Sequence, residues 1–419
     1  MGGILVLAAS LAACGSNGGS SPVPIAQSSQ PRDTEPVVPA ADASQLASDN
    51  RAFAINLYQT LRASAGSDDN LVFSPTSISI ALAMLYNGAA NDTASAIATA
   101  LDFTLPVDRL NAAFDVVDLA LTTPPQGASA GTFQLSLADS IWAQQGFTLL
   151  PSFLDALATD YGAGVNLVDF EKAPESARAT INGWVSDETQ GVIPTLLPMG
   201  SIDDSTRLVL TNAVYFHGDW VTPFAAHSAN GTFHAAAGDV TVPMMSATGG
   251  NGMIWSGTGW NAAALPYEGN TTAMYLIVPD SGTFASFEQG LTPATLAAIL
   301  TPTQQSSSAV SMPRFKFSLA TSLADALSTL GMSVAFSPAA DLSGIDGAHD
   351  LQVADVVHQA DIAVDEKGTT AAAATAVIGV ALSAELPLLV DRPFLFFIVH
   401  QPTNTLLFAG RVVDPAKAI

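Results

Sequence analysis

Residues 365–387 read D-E-K-G-T-T-A-A-A-A-T-A-V-I-G-V-A-L-S-A-E-L-P. Four consecutive alanines favour a helix. The threonines, valines and isoleucine that follow favour a strand, and the glycines favour a loop. No single element wants all three, so the segment is expected to be more than one thing.

The chain around it has 419 residues, enough for a large core in one large domain or two ordinary ones. Hydrophobic residues make up 48% and charged residues 12%, the balance of a globular protein. Thirteen Lys+Arg against thirty-seven Asp+Glu leave a formal net charge of −24. That supplies no basic footprint for nucleic acid and does not suit a heparin-type site.

The single cysteine, Cys14, precludes an intrachain disulfide. It follows a short apolar run, residues 4–9, in the string L-A-A-C-G. That string resembles the lipobox of bacterial lipoprotein signal peptides, although the M-G-G start carries no basic residue. The resemblance implies a signal peptide over 1–13 and lipidation of Cys14. Residues 15 to about 48, rich in Ser, Pro, Gly, Gln, Asp and Ala, read as a tether. One domain is then expected over 49–419. No other run approaches the ~20 apolar residues of a membrane span.

From Asp49 the texture changes. Phe53, Leu57 and Leu61 share one face of an amphipathic helix over 51–62. A short strand, L-V-F, stops at Ser74-Pro75, and the apolar stretch 78–86 implies a buried helix. Further helices are expected at 91–101, 152–161, 179–189 and 322–332. Strands are expected at 133–143, 207–218, 273–279 and 308–319, with a hairpin of 392–400 and 405–413 joined by Q-P-T-N. The sum is α+β, with helices clustered early and strands dominating later.

No nucleophile elbow, Walker A loop or H-E-x-x-H site is read in the chain. Six histidines, at 217, 227, 234, 349, 358 and 400, are scattered without metal-ligand spacing. No enzymatic activity, cofactor or metal is expected from these residues.

Several motifs, in order, resemble the serpin family of protease inhibitors from about Asn50 to the C-terminus. N-L-V-F-S-P-T-S-I-S-I-A-L-A-M-L at 70–85 resembles the family's N-terminal strand and helix. L-T-N-A-V-Y-F-H-G-D-W resembles its central strand and following turn, and V-P-M-M and L-I-V-P-D-S-G fit as well. L-L-V-D-R-P-F-L-F-F-I at 388–398 resembles its C-terminal signature. V-D-E-K-G-T-T-A-A-A-A-T-A resembles its inhibitory hinge. The resemblance implies three β-sheets, eight or nine helices and an exposed reactive-centre loop over about 366–387. Once cut, the N-terminal part of that loop would enter the main sheet as a new strand and carry an acyl-linked protease with it.

The composition suits such an insertion. Ala and Thr are small enough for a narrow gap, no proline interrupts 366–386, and no charge falls between 368 and 382. Gly368 can supply a pivot. Period two sends Thr369, Ala371, Ala373, Thr375 and Val377 to one face and Thr370, Ala372, Ala374 and Ala376 to the other. Thr370 departs from the family, where Glu is common. About fifteen inserted residues would span roughly 50 Å and contribute on the order of 10 kcal/mol in net hydrogen bonds.

The family's spacing implies a scissile bond at Leu382-Ser383. Leu382 lies sixteen residues beyond the hinge Glu366, and Ser383 lies ten before Pro393. A one-residue shift, to Ala381-Leu382, remains open. Leu before the bond suits chymotrypsin-, subtilisin- or elastase-like proteases and some cysteine proteases, but not trypsin. The resemblance further assigns Ser74, Ser77, Asn212 and His358 to a polar cluster under the middle of the sheet. It assigns Trp220 and Arg314, with Arg314 facing Glu366, to the sheet's upper end. The expected molecule is a monomeric, secreted or envelope-bound inhibitor, anchored through Cys14. The competing expectation is a non-inhibitory binding or scaffold protein on the same fold.

Overall fold

The computed structural model describes residues 23–123, 125–129, 131–225, 229–247, 249–369 and 387–417. Among them lie three sheets and ten α-helical segments, two only four residues long, so the α+β fold expected from the resemblance is present. Helices dominate the first half. Ala40–Ser64 is the longest, and Pro75–Tyr86 is buried along almost its whole length. Ser74 caps the latter by accepting from Ser77 N, and Pro75 takes the first turn, where no backbone donor is needed.

The main sheet has seven strands in the order Ile25–Ala26, Val165–Val168, Phe133–Gln144, Leu208–Asp219, Gly368–Thr369, Asp355–Val364, Phe315–Ser322. Leu208–Asp219 and Asp355–Val364 also pair directly, in parallel, from Val209↔Asp355 to Val214↔Ala360. A second seven-stranded sheet contains the C-terminal hairpin, Phe394–His400 with Thr405–Val412, whose residues are all buried. A four-stranded sheet completes the fold. Helix Pro75–Tyr86 packs between the two large sheets, in contact with Leu208–Asp219 on one side and Thr405–Val412 on the other.

Three expectations need correction. The segment 308–319 is not one strand. It divides into Ser306–Ser308, Val310–Pro313 and Phe315–Ser322, one piece in each sheet. The chain changes sheets at Arg314: Arg314 N still donates to Pro243 O, one step beyond Pro313↔Met244 in the four-stranded sheet, and Phe315 already pairs with Val364 in the main sheet. The helix 322–332 is α only over Ala324–Leu327 and continues as a π turn, within which Gly331 has φ 114°. The tether to residue 48 ends earlier. The first long helix begins at Ala40, and residues 25–26 already pair with Val165–Val168. A segment poor in large apolar side chains has been ordered by polar bonds to its neighbours.

Candidate functional site at the parting of the main sheet

Asp139, Asn212 and His358 occupy three adjacent strands, and strand register puts them in one row, Asp139 opposite Asn212 and Asn212 opposite His358. Each stands in the inward phase of its strand, among Leu137 and Ile141, Leu210 and Val214, and Val356 and Ala360. Ser74 and Ser77, at the start of the buried helix, meet this row from below.

The bonds run in one direction. Ser74 N donates to His358 Nε2 at 3.2 Å, so the proton of the neutral ring sits on Nδ1. Nδ1 donates to Asn212 Oδ1. Asn212 Nδ2 then donates to Ser77 Oγ at 2.6 Å and to Asp139 Oδ1. Ser77 Oγ also donates to Asp139 Oδ1, at 2.6 Å. Burial pushes the His358 pKa down to about 3, which keeps the ring neutral. Burial likewise pushes the Asp139 carboxyl well above its ordinary range. The other oxygen of Asp139 has no hydrogen-bond partner among the described residues.

Higher up, the two central strands separate. Gly368 and Thr369 lie between them, with Thr369 opposite both Gly218 and Val364. Next to this point is a cavity of about 710 Å³ lined by Tyr215, Arg314 and residues 361–365, among others. A turn delivers the hinge: Asp365 N donates to Gly368 O at 2.9 Å, and Asp365 Oδ1 accepts from Lys367 N and Gly368 N. A β-carbon on Gly368 would lie 2.1 Å from Gly218 O, so close backbone approach, not an unusual φ, demands glycine here.

The seat is braced on every side. Arg314 meets Glu366 at 2.5 Å, and Lys367 meets Asp219 at 3.2 Å. Trp220 donates from its backbone to Lys367 O and from Nε1 to Asp365 O at 3.0 Å. Its indole stacks on Tyr267, 4.4 Å between centroids, and Tyr267 OH bonds Thr369 Oγ1 at 2.7 Å. Four residues assigned to the polar cluster, two to the sheet's upper end and Glu366, Gly368 and Thr369 of the hinge therefore gather in two connected sites. Thr370, Ala371, Ala372, Ala373, Ala374, Leu382, Ser383 and Cys14 lie outside the described residues.

Sequence reasoning missed Asp139 and Tyr267. Asp139 had a signal: it breaks the apolar phase of F-Q-L-S-L-A-D-S-I, as Asn212 does in its own strand. It also passed over G-A-S-A-G at 127–131, which has the spacing of a nucleophile elbow. That string lies between helix Val107–Thr122 and strand Phe133–Gln144, so it enters a strand instead of leading from strand to helix, and Ser129 is exposed.

Residues 48–415 match the sequence model of the family described as Serpin (serine protease inhibitor). The chain belongs to the serpin family. This serpin is 36% identical over 370 residues to an uncharacterised serpin-like protein of Thermococcus kodakarensis, covering 87% of this chain and 84% of that one. It is 36% identical over 385 residues to human leukocyte elastase inhibitor, covering 88% and 100%. An Arabidopsis serpin solved in its native stressed conformation superposes with a TM-score of 0.78 at 30% identity, over 90% of this chain and 99% of that one.

Proposed function

We propose that this serpin inhibits endopeptidases as a suicide substrate. The observation that carries the reading is the hinge: Gly368 and Thr369 already occupy the first inserted positions between two strands that are parted at that end. Each further residue steps one position down both neighbours. Six steps from Thr369 bring Thr375 opposite Asn212 (218 − 6) and His358 (364 − 6). Full insertion thus requires the His358–Asn212 bond to break, and that bond delays it until the loop is cut.

The reactive bond is Leu382-Ser383, and the target is a serine protease with a hydrophobic pocket of chymotrypsin, subtilisin or elastase type, or a cysteine protease of similar preference. Similarity to leukocyte elastase inhibitor supports the choice. The protease supplies nucleophile and base, while the serpin supplies the pull that distorts the acyl-enzyme before water resolves it. The protein acts as a monomer outside the cytoplasm, held to a bacterial envelope through Cys14.

The test is to mix the serpin with chymotrypsin or subtilisin near equimolar ratio and run a denaturing gel. A band at the summed mass that survives boiling supports inhibition, and the mass of the released peptide places the cut. Clean cleavage with the protease still active would remove the claim for those enzymes and favour a binding or scaffold role.

A further inference from the structure

Residues 23–39 are mostly exposed, yet they are fastened along their length. Pro24 O accepts from Leu167 N at 2.8 Å, and Ile25 and Ala26 pair with Asn166 and Val165, covering the outer edge of the main sheet. Ser28 bonds Asp155, and Asp33 N donates to Thr159 O at 2.9 Å, both on helix Pro151–Tyr161. Arg32 then reaches helix Val107–Thr122, meeting Asp115 at 2.7 Å and Asp118 at 2.6 Å. Asp115 is almost wholly buried, and its second oxygen has no hydrogen-bond partner among the described residues. Beyond Val38, which packs on the core, the chain enters the first long helix, whose Asp42 is paired with Arg109 of Val107–Thr122.

The segment therefore ties the outer strand of the sheet to the helices beside it. Helix Val107–Thr122 itself packs on Ala40–Ser64 and Pro75–Tyr86. Admitting one more strand widens a sheet by about 4.8 Å. Val165–Val168, Phe133–Gln144 and Leu208–Asp219 lie on one side of the opening and must shift against the helical layer as it widens.

We propose that residues 23–39 act as a strap that slows opening of the main sheet, with Arg32 as its principal fastening. This rests on the insertion reading above. The strap would lengthen the life of the uncut form without taking part in recognition of the protease.

Three full-chain variants test it. Arg32→Gln unfastens the strap. Arg32→Gln/Asp115→Asn does so while leaving no unpaired buried charge. Gly164→Val pushes the strap off from beneath, because a β-carbon there falls 2.8 Å from Ala26 O, and it alters no charge. Uncut protein is held at one temperature below its unfolding midpoint. Self-insertion is followed as loss of loop cleavage by subtilisin together with a gain in melting temperature. All three variants should convert at least about fivefold faster than the natural chain, an effect of the size that one kcal/mol produces. If the double variant and Gly164→Val convert at the natural rate, the strap proposal is overturned, even if Arg32→Gln alone is faster. A separate control melts natural protein already cut in the loop. No rise in its melting temperature would sink the insertion reading itself, whatever the variants do.

Discussion

The C-terminal hairpin of the second large sheet and the centre of the main sheet are both largely buried, but different contacts close them. In the hairpin, Phe394–His400 and Thr405–Val412 pair antiparallel almost end to end, with Phe394, Phe396 and Phe408 buried and one register shift at Ile398/Val399. In the main sheet, Leu208–Asp219 and Asp355–Val364 pair in parallel over only part of their length. Polar Asp139, Asn212 and His358 stand where apolar side chains would otherwise interlock. Gly410 and Gly368 make the same point. Each is required because a backbone carbonyl lies where its β-carbon would go, Leu71 O at 2.2 Å and Gly218 O at 2.1 Å. Gly410 serves the fixed pairing of the hairpin with Leu71–Phe73, and Gly368 serves a seat two residues long. A sheet closed by side-chain packing opens only on unfolding. One closed by a short polar row can open there while the rest stays folded.

The largest effect that would sharpen this contrast comes from the hairpin. Phe396→Ala should cost about 3–5 kcal/mol, equally in uncut and loop-cut protein, as read by denaturant melts of both. A loss confined to the uncut form would break the contrast.

Next comes pH. The ordinary pKa of His358 is 6.5 and its folded value is about 3, so the unfolded chain binds the proton first. The stability it contributes is complete above pH 6.5 and drains away as pH falls through that window, by on the order of a few kcal/mol. His358→Gln should flatten the fall in melting temperature between pH 7 and 4. Asp139 acts oppositely: its pKa is raised, so its contribution is present at low pH and lost as pH rises above 3.8.

Asn212→Ala removes the middle of the row and strands buried donors and acceptors on both sides. A loss of about 2 kcal/mol is expected in the uncut protein, with a smaller loss after cutting, when the inserted strand has already separated Asn212 from His358. Equal losses before and after cutting would mean the row does not hold the sheet shut.

Gly368→Val should unseat the hinge while barely altering global stability, and should lower the yield of trapped protease about fivefold, roughly 1 kcal/mol of partitioning. Unchanged yield on the denaturing gel would mean that the seat is not used. Smallest is Arg314→Gln. Its side chain is about half exposed, so loss of the Glu366 pair should shift the melting midpoint by no more than about 1 kcal/mol in equivalent stability.

Much of this was legible beforehand, for local reasons. The start of the hinge could be placed through the family resemblance of V-D-E-K-G-T-T, and of it the described residues hold Glu366, Gly368 and Thr369 at the parted strands. The buried helix followed from apolar residues behind Ser74-Pro75. The strand ends at 313–315 were not legible, because V-S-M-P-R-F-K-F keeps a strand-like pattern straight through a change of sheet. The order of residues 23–39 was hidden for a related reason: it depends on Arg32 and a few backbone bonds, and composition does not register partners.

Strand phase, and the places where Asp139, Asn212 and His358 interrupt it, can be read residue by residue, because side-chain direction follows from period two. That the three fall in one row could not, since register between strands distant in the chain is set by the packing of the whole sheet. The tertiary structure also decided that Gly368 needs to be glycine, because the obstructing atom, Gly218 O, belongs to a residue 150 positions away (368 − 218).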